Sequence, residues 1–176
     1  MKKLFALLIT VLLLAGASFA MAENVTVDQA VVDYDVTMVI PQGYAMTENR
    51  RSGGISIDVM PEDKANAQYF ITIGYSEAYD GRTISEMSDD EVEQILDFIS
   101  EGFYSPVISS YTTSEGTLVY VLDETEAESD WAMAVTIYRG YFVTVQIEKE
   151  DYAELTQEDV QRAITLLGDT HFVESK

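Results

Sequence analysis

The sequence predicts an α+β fold: a single antiparallel β-sheet flanked by two main α-helices. Three observations predict it. Segments whose apolar residues alternate with a period of two recur along the chain. Short turn signals join several of them as hairpins, which makes neighbouring strands antiparallel. Two other segments combine helix-start signals with an apolar period near 3.6 residues.

The chain opens MKKLFALLITVLLLAGASFAMA. Lys2 and Lys3 form a basic end, Leu4 to Leu14 is apolar, and Ala20-Met21-Ala22 fits the small residues before a cleavage site. Residues 1–22 are therefore read as a secretory signal peptide. The apolar run is short for a bilayer span of about 20 residues, so no membrane insertion is expected after cleavage. Residues 23–30 are read as a short leader and residues 31–176 as one α+β domain.

The first strand is Val31 to Ile40, where Tyr34, Val36, Met38 and Ile40 alternate with polar residues. Pro41-Gln42-Gly43 ends it. A short strand over Tyr44 to Asn49, a turn over Arg50 to Gly54 and a strand through Ile55, Ile57 and Val59 follow. After a polar loop, Tyr69 to Ser76 forms the next strand. Ser88 then caps a helix, with Glu91 three residues on and Met87 placed to pack on Val92. Val92, Ile95, Leu96 and Ile99 share its apolar face, and Gly102 is the expected stop. Two hairpins come next. Val107–Thr113 and Gly116–Leu122 flank Ser114-Glu115, and Trp131–Tyr138 and Tyr141–Glu148 flank Arg139-Gly140. The second turn sets a register that pairs Tyr138 with Tyr141 and Ala134 with Val145. A last helix starts at Thr156, with Asp159 at its third position and Leu155 placed to pack on Val160. Its face is Val160, Ala163, Ile164 and Leu167, and Gly168 is its stop. His171 to Val173 is read as an edge strand.

Charge narrows the function classes. The net charge is −21, and loss of Lys2 and Lys3 with the leader makes it −23. Nucleic-acid binding depends on Lys and Arg displacing counterions from phosphates, so no nucleic acid is expected as a partner. Zinc sites draw on several Cys or His ligands, and the chain holds one His and no Cys. A secreted chain of this size without disulfides points to a bacterial exporter. No glycine-flanked serine or phosphate-binding loop occurs. No catalytic residue and no cofactor is assigned. Among 31 acidic residues some pair reaches a hydrolytic spacing by chance, so a small hydrolase using a carboxylate pair remains the alternative from another class.

The element order, "VTMVIPQGY" near the mature start and a closing helix that runs into "THFV" resemble the PsbP-like fold of secreted bacterial domains of unknown function. The resemblance implies an α/β/α sandwich and a non-enzymatic binding domain. It implies no site residue.

Two segments are candidate sites. Asp123, Glu124, Glu126, Glu128 and Asp130 crowd one connector. Counted from Asp123, Glu128 stands where a calcium loop needs glycine and Ala134 where it needs glutamate. The connector is read as solvated, and a calcium-stabilised envelope protein stays an alternative. In the last hairpin, Trp131, Met133, Val135, Ile137 and Phe142 lie on one face. They form either a candidate binding strip or the seat of a helix. The reading overall is a secreted, soluble binding or accessory module of the bacterial envelope, with another protein or an envelope component as partner.

Overall fold

The computed structural model describes residues 23–27, 34–51, 54–101, 106–124 and 131–174. The strands are β1 (Glu23–Val27), β2 (Tyr34–Ile40), β3 (Tyr44–Arg51), β4 (Gly54–Pro61) and β5 (Gln68–Tyr75). Helix α1 (Asp89–Ser100) precedes β6 (Pro106–Thr112), β7 (Leu118–Glu124), β8 (Trp131–Tyr138) and β9 (Tyr141–Glu148). Helix α2 (Gln157–Gly168) and β10 (His171–Glu174) close the chain. Seven strands form an antiparallel sheet in the order β3-β4-β5-β9-β8-β7-β6.

The β8–β9 hairpin has the register its turn dictates. Arg139 and Gly140 both take positive φ, 48° and 89°, a turn whose twist matches the strands it joins. Tyr138 therefore faces Tyr141, and Ala134 faces Val145. Alternation then divides the apolar residues of this hairpin between two cores. Ala132, Ala134, Val143, Val145 and Ile147 join Ala163, Ile164, Leu166 and Leu167 of α2 in the larger one. Val135 and Ile137 join Val92, Ile95 and Leu96 of α1 in the smaller one. The two alanines give α2 a flat seat at close range.

The strands divide between two sheets, where a single sheet was expected. β2 pairs with β1 and β10 in a separate three-stranded sheet. Its Val36, Met38 and Ile40 are buried in the larger core. Residues 23–27, expected as part of a loose leader, form β1 because the period of two in ENVTV matches β2 residue for residue. The turn expected over Arg50 to Gly54 is shorter, since the ladder runs to Arg51 opposite Gly54. A side chain at Gly54 would meet the Ile73 carbonyl at 2.9 Å, so close approach of β5 requires glycine there. Gly168 is also a contact residue rather than a left-handed stop. A Cβ there would lie 2.8 Å from the Thr113 side chain. The stop expected at Gly102 lies outside the described residues.

Both helices start as their spacing predicts. The Ser88 N–H donates to Glu91 Oε2 at 2.9 Å, and the Glu91 N–H returns to Ser88 Oγ at 3.4 Å. At α2, the Thr156 N–H donates to Asp159 Oδ2 at 2.8 Å, and the Asp159 N–H donates to Thr156 Oγ1 at 3.3 Å. Arg82 adds a two-pronged contact to Glu91, with both N···O distances 2.8 Å. Lys149 Nζ lies 2.7 Å from Asp159 Oδ2 with both side chains largely buried.

Loss of the α2 cap in Thr156→Ala removes one backbone contact and one carboxylate contact. It is expected to cost about 1 kcal/mol, read as a lower denaturant midpoint. A second outcome depends on pH. The Arg82 guanidinium, then the Ser88 contacts, hold the Glu91 carboxyl down at about 2 against an ordinary 4.5. The folded state thus favours the ionised form. Its contribution is complete above pH 4.5 and fades as pH falls toward about 2. The melting-temperature gap between the native chain and Glu91→Gln should close across that window. A gap that stays constant down to pH 2 would contradict the assignment.

Candidate functional site

Helix α2 does not cover the whole sheet face beneath it. Its N-terminal half leaves a cavity of about 360 Å³ over β6 and β7, bounded by Val107, Tyr111, Val121, Asp123, Gln157 and Val160. Its C-terminal half leaves another of about 300 Å³, bounded by Tyr111, Thr113, Gln161, Ile164, Thr165 and Asp169. Tyr111 belongs to both. Gln157, Val160, Gln161, Ile164, Thr165 and Gly168 succeed one another at helical spacing along α2. Together the cavities form one trough between α2 and the outermost strand, β6.

The walls of the trough are held rigidly. The Lys149–Asp159 pair ties the start of α2 to the residue after β9. Burial opposes ionisation of Asp159, but hydrogen bonds from Lys149 and Thr156 outweigh it and keep the carboxyl below its usual range. Tyr69 Oη, within β5, donates to the Asp159 carbonyl at 3.2 Å. Burial pushes the Tyr69 phenol strongly up, so it stays a neutral donor. On the far flank of α2, Arg162 donates to Tyr44 Oη at 2.7 Å and to Glu158 at 2.9 Å.

The polar lining of the trough is mostly neutral Ser, Thr and Gln. Its charged residues are Asp123 and Asp169, and among the described residues no Lys or Arg lines it. Asp123 Oδ1 is buried and has no hydrogen-bond partner. A buried acceptor left unpaired is costly, so a donor that reached this oxygen through a small local shift would relieve that cost.

Of the sequence-derived acidic site, the structure places Asp123 within β7, opposite Val107 and Ala132. Glu124 ends the same strand. Glu126, Glu128 and Asp130 lie outside the described residues. Among the described residues, no group of three or more His, Cys, Asp or Glu is arranged to hold a metal ion. The five strip residues separate. Val135 and Ile137 are 0% and 1% exposed in the core that α1 covers. Phe142 packs on that core, half-buried. Trp131 and Met133 are partly exposed, opposite Glu148 and Gln146. The strip thus divides into a helix seat at Val135, Ile137 and Phe142 and a short outer end at Trp131 and Met133.

Sequence reasoning missed the trough. Its one available signal was PVISSYT, a strand with apolar residues on both faces and no charge. No protein-family model matches the chain, and no curated protein matches it either.

Calcium tests the acidic connector. Thermal melts and calorimetry with millimolar calcium are expected to be alike for the native chain and for Glu126→Gln/Glu128→Gln. One-to-one binding tighter than about 10 μM that vanishes in the variant would establish a sensor-grade site there.

Proposed function

We propose that the chain is a secreted, non-enzymatic binding or accessory module of the bacterial cell envelope, built as a PsbP-like α/β/α sandwich. The observation that carries this reading is the trough between α2 and β6. It is a concave, partly apolar surface on rigid elements, with an unpaired buried acceptor in its wall. Ligand sites combine apolar lining with polar groups that fix orientation, and the trough offers both.

The titratable groups support binding over catalysis. Perturbed carboxyls mark candidate acids and bases, but structural ion pairs and caps perturb them as well. Here Glu91 serves Ser88 and Arg82, Glu86 serves Thr83, and Asp159 serves Thr156 and Lys149. Each is engaged at a helical start. No helix among the described residues is long and apolar enough to cross a membrane. Export rests on the basic, apolar and small-residue series of residues 1–22.

The test compares the native chain with Tyr111→Glu, a change in the middle of the trough. Each is immobilised and exposed to envelope extract of the producing organism. A partner retained by the native chain and lost by the variant is expected. The protein recovered from the host should start near Glu23. Identical retention by both chains would move the site away from the trough. Turnover of ester or glycoside substrates would replace the binding reading with the hydrolytic one.

A further inference from the structure

We infer that the open edge of β6 receives an extended, cationic segment of a partner protein, which adds to the sheet as a strand beside β6 and turns alternate side chains into the trough. This deepens the binding reading above and rests on it. Four observations carry it.

The first is the edge itself. Among the described residues β6 pairs with β7 alone and ends the seven-stranded sheet. The Thr113 N–H donates to the Thr117 carbonyl at 2.9 Å. Antiparallel ladders alternate residues bonded to the neighbour with residues whose N–H and C=O point away. Counting back from Thr113, the N–H and C=O of Thr112, Ser110 and Ile108 face the open side. Pro106 has the same parity, so its missing N–H falls where no ladder bond is lost.

The second is the contrast between the two edges of this sheet. Sheet edges are normally guarded against pairing by charged side chains. The opposite edge, β3, carries the charged Glu48 in mid-strand. β6 reads PVISSYT and carries no charge at all. Val107, Ile108 and Tyr111 are large apolar residues about 40% exposed, at 41%, 42% and 39%.

The third is fit. Twelve residues of α2 span about 18 Å at 1.5 Å each. Seven residues of β6 span roughly 23 Å at about 3.3 Å each. A strand of about six residues matches both. Its side chains on one face would continue the side of the sheet that Val107 and Tyr111 share, toward the helix. Its backbone would bond Ile108, Ser110 and Thr112. Main-chain bonds then supply affinity and alternate side chains supply selectivity.

The fourth is charge. Asp123 and Asp169 line the trough without a basic residue, and Asp123 Oδ1 lacks a donor. A Lys or Arg on the added strand supplies one. A second copy of this chain would bring another −21 to the same edge, and like charge opposes that pairing. The occupant is therefore a cationic segment with apolar residues at alternate positions.

The probe is a decapeptide of alternating Val and Lys, added to the ¹⁵N-labelled chain. Controls are a Val/Glu decapeptide and a block peptide of five Val followed by five Lys. With the alternating Val/Lys peptide, the amides of Ile108, Ser110 and Thr112 should gain protection from hydrogen exchange at least tenfold. The block peptide should shift signals weakly and without that protection. Ser110→Pro removes one outward donor and leaves the β6–β7 ladder intact, so it should weaken binding at least tenfold. Asp123→Asn should weaken it and flatten its salt dependence. Three results would each overturn the inference: no protection at those amides with millimolar peptide, equal binding by Ser110→Pro, or equal binding of the Val/Glu peptide. If the peptide fails while Tyr111→Glu still abolishes partner retention, the trough binds something other than a strand. If both fail, the binding reading itself falls.

Discussion

The buried pair between Lys149 and Asp159 holds the rest in place. The carboxylate sits almost out of solvent, 5% exposed. A charge there is tolerable only when paired and hydrogen-bonded. Lys149 supplies the pairing from the end of β9, and Thr156 supplies two further donors. Tyr69 then ties the same residue's carbonyl to the middle of the sheet. One aspartate thus caps α2, orients it and fastens it to β5 and β9. Remove that fastening and the start of α2 keeps mainly apolar contacts, which resist separation but do not fix its position along the sheet, while Arg162 still holds the middle of the helix to Tyr44.

Fixing α2 has a consequence for the surface. The helix rests on Ala132 and Ala134, where small side chains admit it closely. Gly168 lets its last turn touch Thr113. The helix is therefore seated over β8 and β9 and touches the residue after β6 only at its last turn. The space that α2 leaves over β6 and β7 is the trough. Sites on rigid elements hold their shape without a partner, so less of the binding energy is lost to ordering.

The acidity has two roles that are separable by location. Asp89, Asp90 and Glu91 occupy the first turn of α1, where the helix dipole favours them. They are structural. Asp123 and Asp169 line the trough, Asp169 as the residue that ends α2, and on the proposed reading their charge selects what enters. The remaining surface charge keeps like molecules apart and steers cationic ones.

The sequence by itself determined the local events. Ser88 with Glu91 and Thr156 with Asp159 announced both helix starts, because a cap needs only residues three apart. Arg139-Gly140 announced the last hairpin and its register, because a two-residue turn leaves one pairing. Alternation separated Ala132 and Ala134 from Val135 and Ile137, but it did not say which face a helix would cover. Tertiary structure decided that, by bringing Val92, Ile95 and Leu96 onto Val135 and Ile137. It also decided that β5 lies beside β9, that β2 leaves the main sheet for β1 and β10, and that β6 is left at the edge. Each of these joins residues far apart in the chain, and no spacing rule reaches that far. Asp123 shows the limit most directly. In sequence it is one of five crowded carboxylates. In the fold it lines a cavity and keeps one carboxylate oxygen buried, because its strand lies under the gap that α2 leaves uncovered.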